Sequence, residues 1–238
     1  HPDRDQSWRD EQDTNLGPER AAQECDADFL TSGNNVIDPL ILDWYSKTHK
    51  SDPVDSAGID NNLWIWDYPN YDKDYIVVAD VARGDGSDFS AAQVIELENI
   101  EQVAEYKGQL GTTDYGNFLI ELATKYNDAL LVVENNNIGW ACIQTIIDRG
   151  YKNLFYQSKD LKFVDTEHQI KNKYRAEDRN LVPGFGTTVK TRPLIIAKLE
   201  EYVRQKLCTI KSSRLIDELF VFIYNNNKPQ AMTGYNDD

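Results

Sequence analysis

Two short apolar runs, each ending in an acid, constrain this chain more than any other feature. Tyr75-Ile76-Val77-Val78-Ala79 leads into Asp80, and Ala129-Leu130-Leu131-Val132-Val133 leads into Glu134. Unbroken Val, Ile, Leu and Ala suit strands buried on both faces of a sheet. Gly84-Asp85-Gly86-Ser87 after the first run suits a tight turn needing positive φ. Asn135-Asn136-Asn137-Ile138-Gly139 follows the second. Acids commonly decorate strand ends, but a carboxylate at the end of a buried strand is costly to keep ionised without a partner. The chain also closes on a third acidic group, Asn236-Asp237-Asp238. Oxygen ligands from three segments, with no His or Cys grouped beside them, favour a hard cation such as Mg²⁺ or Mn²⁺ over zinc.

The remaining composition narrows the alternatives. A chain of 238 residues can bury a substantial core. It has no apolar run near the roughly 18 residues a membrane helix needs, and its polar, charged start does not read as a signal peptide. Because it begins with His1, it is expected to be a fragment. Cys25, Cys142 and Cys208 are odd in number and far apart, against both a disulfide framework and a Cys-based zinc site, so a reducing compartment is expected. His49 and His168 are isolated, leaving little material for a Ser-His or Cys-His nucleophile.

The net charge of −15 argues at first against a nucleic-acid partner. The average hides an asymmetry. Lys152 to Arg214 holds 14 Lys or Arg against 7 Asp or Glu, a local balance of +7, so the rest of the chain carries −22. Scattered cations commonly do no more than solvate helix faces. A basic rim beside an acidic metal centre is, however, what cutting a phosphodiester requires.

Along the chain, residues 1 to about 45 read as helical and then strand-like, and 46–74 as a linker with one anchoring strand at Leu63-Trp64-Ile65-Trp66. The pattern then predicts an antiparallel meander over 75–81, 90–97 and 101–109. A helix is predicted over 112–126 with Thr113 or Asp114 as N-cap, then the strand to Glu134 and a helix over 138–149. A short strand at 153–156, a Gly-rich loop at 183–188 and helices over 193–206 and 212–224 complete the reading, with Pro193 suited to a first helical turn. The result is an α/β chain whose mixed sheet, three antiparallel strands then parallel ones, is covered by helices.

That order of strands and acids is the layout of the ribonuclease H-like, integrase-like nucleases. In detail, Val78-Ala79-Asp80-Val81-Ala82-Arg83-Gly84-Asp85-Gly86-Ser87-Asp88-Phe89-Ser90, Leu131-Val132-Val133-Glu134-Asn135-Asn136, Arg214-Leu215-Ile216-Asp217-Glu218-Leu219 and the closing Asn236-Asp237-Asp238 resemble the nuclease domain of the large terminase subunit of tailed bacteriophages. Trp8-Arg9-Asp10-Glu11-Gln12 and Gln23-Glu24-Cys25-Asp26-Ala27-Asp28-Phe29-Leu30 resemble the segment that joins the packaging ATPase to that nuclease.

The resemblance implies an ATPase-region remnant at 1–45, a linker at 46–74 and a ribonuclease H-like nuclease domain at 75–238, cut short at its C-terminal end. It implies a metal-dependent endodeoxyribonuclease cutting concatemeric double-stranded DNA during genome packaging in the host-cell cytoplasm, with the packaging ATPase and the capsid portal as partners and no membrane. No phosphate-loop motif is present, so the motor half is not in this sequence. Asp80, Glu134 and one of Asp237 or Asp238 are implied as catalytic acids holding two Mg²⁺ or Mn²⁺ ions, with Asp80 shared between them. Asp85 and Asp88 are close enough to Asp80 in sequence to support the metal site from outside the ligand set, though turn residues are the commoner reading of such a pair. DNA contacts are expected at Lys159, Lys162, Lys171, Lys173, Arg175, Lys190 and Arg192, to the backbone and with little sequence preference. Few aromatics are interleaved with these cations, which disfavours single-strand stacking.

Other readings remain open at this point. Actin-like and sugar-kinase ATPases also begin with an Asp-ended strand and a Gly-rich hairpin, but they need a second phosphate motif and a longer, duplicated chain. A non-catalytic docking module of the packaging motor would make use of the acidic surface. A junction resolvase would share the acids but prefer branched DNA.

Overall fold

The structure is a computed structural model, and it describes residues 34–84, 86, 88–158, 180–232, 234 and 235. The chain divides into two compact units, one comprising residues 51–212 and the other the two flanking segments.

The larger unit is built on a six-stranded sheet. Its strands are β1 (Asp55–Ala57), β2 (Leu63–Ile65), β3 (Tyr75–Asp80), β4 (Ser90–Glu96), β5 (Glu101–Gly108) and β6 (Leu130–Val133), in spatial order β1-β2-β5-β4-β3-β6. Every pairing is antiparallel except β3 with β6. The meander β3-β4-β5 and the return to a parallel β6 form the expected ribonuclease H-like mixed sheet. Segment 46–74, read as a linker, contributes β1 and β2 to the sheet, and Leu63, Ile65 and Trp66 are buried.

Alternation along the central strands decides the covered face. Tyr75, Val77 and Ala79 on β3 and Ala92 and Val94 on β4 are buried, as are Leu131 and Val133 on β6. α2 (Thr112–Lys125) and α3 (Gly139–Asp148) cover that face; α1 belongs to the smaller unit and is described below. α2 buries Tyr115, Leu119, Leu122 and Ala123, and α3 buries Cys142, Ile143 and Ile146, in each case the three-and-four spacing of an amphipathic helix. Burying each large aliphatic side chain here contributes about 1.5–3 kcal/mol. The N-cap of α2 is Gly111, which offers no side-chain cap, rather than Thr113 or Asp114; Asp114 instead lies in the first turn, where it complements the helix dipole.

Beyond β6 the sheet edge is extended by single bridges. Leu131 pairs with Leu154 and Glu134 with Phe185, both parallel. β7 (Tyr156–Ser158) and β8 (Leu181–Pro183) pair antiparallel, and α4 spans Thr191–Arg204. On the other side of the meander, Thr209 bridges Glu101. The buried Gln102 accepts the N–H groups of Lys211 and Ser212 at 2.7 and 2.8 Å, and Lys211 forms ion pairs with Asp67 and Glu101.

In the smaller unit, α1 (Pro39–Thr48) is capped by Asp38, whose carboxylate accepts from the Leu40 N–H, and packs against α5 (Ser213–Phe220). The predicted helix over 212–224 stops at Phe220. The chain then forms a hairpin of β9 (Phe222–Asn225) and β10 (Lys228–Ala231). Asn226 and Asn227 have φ of 50° and 61°, the left-handed pair that a two-residue hairpin turn needs, and Asn tolerates it. No helix among the described residues is long and apolar enough to cross a membrane.

Candidate functional site

Asp80 and Glu134 stand side by side. Ala79 pairs in register with Val133, and the Glu134 N–H donates to the Ala79 carbonyl at 2.9 Å, so the two acids are the next residues of neighbouring parallel strands. In-register residues of adjacent strands share a face, and strands lie roughly 4.8 Å apart. Ala79 and Val133 point into the core, so Asp80 and Glu134 point to the opposite, partly open face, where Val78 is 41% exposed. Two carboxylates at this spacing repel each other in a setting only partly solvated, and a divalent cation between them relieves the repulsion.

The surroundings fix the two strand ends. The Val81 N–H donates to Asp80 Oδ1 at 2.7 Å, and the Ala82 N–H to Ser90 Oγ at 3.0 Å. Gly84, at φ 79°, sits where a β-carbon would lie 2.5 Å from the Leu110 carbonyl oxygen, so the turn after Asp80 lies directly on the β5–α2 connection. At the other end, Asn136 Nδ2 donates to Glu134 Oε1 at 2.7 Å and to the Thr187 carbonyl at 3.0 Å, and Asn135 Nδ2 to the Pro183 carbonyl at 3.0 Å. The Gly186 N–H donates to Gln157 Oε1 at 2.6 Å. Thr188 and Thr191 close the loop on itself and lead it into α4.

Among the described residues no group of three or more metal-ligating side chains is gathered in one place. The site has two such acids, Asp80 and Glu134. The other two implied ligands, Asp237 and Asp238, lie outside the described residues, as do Lys159, Lys162, Lys171, Lys173, Arg175 and Asp85. Lys190 is exposed and Arg192 half-buried at the start of α4, the helix entered from the loop that Asn136 ties to Glu134. Asp88 is exposed. Cys142, one turn into α3, is buried, and desolvation pushes its thiol up to about 12, so it supplies no thiolate nucleophile.

Sequence reading missed one cation. Asp80 pairs with Ala91, and Ala91 with Lys107, so Lys107 lies in the same cross-strand row as the acids and on the same face, separated from Asp80 by a small residue. Its ammonium lies 5.4 Å from the centre of the Phe89 ring. Only the register reveals this, since Lys107 is an ordinary strand lysine in sequence.

No family model matches the chain, and no curated protein matches it in sequence. Solved structures match it in fold. The large terminase nuclease of thermophilic phage G20c is 16% identical, with 86% of this chain and 92% of that one superposed at a TM-score of 0.61. The same nuclease with bound magnesium is also 16% identical and gives 87%, 93% and 0.62. The large terminase nuclease domain of Thermus phage P74-26 is 15% identical and gives 78%, 79% and 0.51. Over most of its length, this chain has the fold of the phage large-terminase nuclease domains.

Proposed function

We propose that the chain is a metal-dependent endodeoxyribonuclease domain of a phage packaging motor, cutting concatemeric double-stranded DNA. The observation that carries this reading is the in-register placement of Asp80 and Glu134 at the ends of a parallel strand pair, on the face away from the core. The shared fold supports it. The G20c relative has been solved with magnesium, cobalt and zinc, in keeping with divalent ions at a site of this kind.

Asp80 and Glu134 fit a hard divalent cation by their chemistry, and one of Asp237 or Asp238 is the third ligand of the proposal. When bound, two such ions supply water activation and charge stabilisation at phosphorus. The protein's own groups do the rest. Asp80 is held by the Val81 N–H and Glu134 by the Asn136 amide, so both carboxylates are set in place by the sheet and its adjoining turns. Lys107, Lys190 and Arg192, together with Lys159, Lys162, Lys171, Lys173 and Arg175, hold the DNA backbone by charge and impose little sequence preference. The domain division proposed with this reading is an ATPase-proximal segment ahead of the nuclease, and the partners are the packaging ATPase and the portal in the host cytoplasm.

The test is plasmid nicking and linearisation with Mg²⁺, Mn²⁺ or EDTA, beside Asp80→Asn and Glu134→Gln. Metal-dependent cutting lost in both variants, with unchanged melting, is the expected result. Near-normal cutting by Asp80→Asn would overturn the assignment.

A further inference from the structure

We propose that Asn136 is a positioning residue for Glu134, holding its carboxylate in one orientation and coupling it to the loop that enters α4. The proposal rests on the nuclease reading above. A primary amide has two N–H hydrogens on one nitrogen, and here both acceptors around that nitrogen are oxygens: Glu134 Oε1 at 2.7 Å and the Thr187 carbonyl at 3.0 Å. A carbonyl and a carboxylate cannot donate, so the orientation of the Asn136 amide is fixed by its neighbours.

The anchor on the far side is itself held. The Asn135 N–H donates to the Phe185 carbonyl at 2.9 Å, the Gly186 N–H to Gln157 Oε1 at 2.6 Å, and Thr191 Oγ1 to the Gly186 carbonyl at 3.1 Å. Thr187 therefore presents its carbonyl from a loop tied down at Phe185 and Gly186. Glutamate has three rotatable side-chain bonds, and fixing it costs rotamer freedom when nothing holds it beforehand. Asn136 meets that cost before a cation arrives and leaves Oε2 to the cation. The same amide makes the loop bearing Lys190 and Arg192 continuous with a ligand, so movement of the loop reaches Glu134 through one side chain.

The test compares Asn136→Ala with Gln157→Ala in the full chain. Gln157→Ala releases the Gly186 tie without touching Glu134. Mn²⁺ binding is titrated calorimetrically without DNA, the Mn²⁺ concentration for half-maximal nicking is measured, and the metal-free melting temperature is recorded. Asn136→Ala is expected to weaken Mn²⁺ binding about 10- to 100-fold, the range for partners of ligating side chains, to shift the nicking midpoint equally, and to leave metal-free melting near wild type. Gln157→Ala, which loosens the loop but leaves the Asn136–Glu134 bond in place, is expected to weaken Mn²⁺ binding clearly less than Asn136→Ala does. Asn136→Leu, isosteric but without a donor, replaces Ala if that variant is unstable.

Unchanged Mn²⁺ binding in the Asn136 variant, or an equal loss in Gln157→Ala, would overturn the positioning role. Wild-type chain that neither binds Mn²⁺ nor cuts DNA would instead overturn the nuclease reading.

Discussion

A β-carbon added to Gly139 would lie 1.9 Å from the backbone carbonyl oxygen of Glu134. No side chain can yield there, because the obstructing atom is main chain. The start of α3 is thus pressed directly against the turn that carries the acid, and only glycine fits. Gly139→Ala is expected to cost about 1–3 kcal/mol by forced overpacking and to reduce plasmid cutting beyond what that loss of stability explains. Thermal melting beside nicking rates under conditions where the variant is fully folded checks this; wild-type values for both would refute it.

Lys107 tests whether the register row bears on DNA. Lys107→Ala is expected to weaken duplex binding in EDTA and to lower the slope of log affinity against log salt by about one, the value for one lost phosphate contact. The double variant Lys190→Ala with Arg192→Ala is expected to lower it by about two. Fluorescence anisotropy across a salt series reads both, and an unchanged slope would remove the residue concerned from the DNA face.

Glu96 gives the larger unit an acid-sensitive joint. The side chain is buried at the end of β4; burial pushes its pKa up, but the N–H groups of Glu98 and Asn99, the Asn99 amide and the Lys73 ammonium outweigh it, and the net shift is downward. A depressed carboxylate stabilises the fold fully above its unfolded pKa, near 4.5, and that contribution is lost as the pH falls through the lower folded value. Glu96→Gln is expected to be less stable than wild type at pH 7 and to lose less on acidification below about pH 4.5. Parallel wild-type and variant urea curves from pH 7 to 3 would contradict this.

Cys142 should be silent in the native chain. With its thiol pushed up to about 12 by burial, the thiolate fraction at pH 8 is about one in ten thousand. Alkylation followed by peptide mass spectrometry is expected to modify Cys142 only after denaturation. Rapid native labelling would show that α3 opens away from the sheet.

β3 was legible as an unbroken apolar run from Tyr75 to Ala79, but the expectation of burial on both faces fails: Tyr75, Val77 and Ala79 are buried while Val78 is 41% exposed. The spacing of Leu119, Leu122 and Ala123 marks α2. β1 was not legible because Asp55-Ser56-Ala57 has no apolar alternation; its backbone pairing with β2 makes it a strand. The β9–β10 hairpin hid because Phe220 to Tyr224 continues the apolar pattern of Ile216 and Leu219, and two asparagines at positive φ decide the turn. At the site, the acids were visible as twin strand ends. The tie from Glu134 through Asn136 to Thr187 was not, since amide side chains bridging 51 residues of sequence carry no period.

The side chain of Gln102 accepts main-chain hydrogens from residues 109 and 110 positions later, at Lys211 and Ser212. Contacts this distant require a long loop to close first, and they slow folding accordingly. During synthesis the meander can pair as soon as Gly108 has emerged, but the buried Gln102 oxygen waits for another hundred residues before its partners exist. The strand edge beside it is left unfinished over that interval, which makes Thr209–Ser212 the closing stitch of the larger unit.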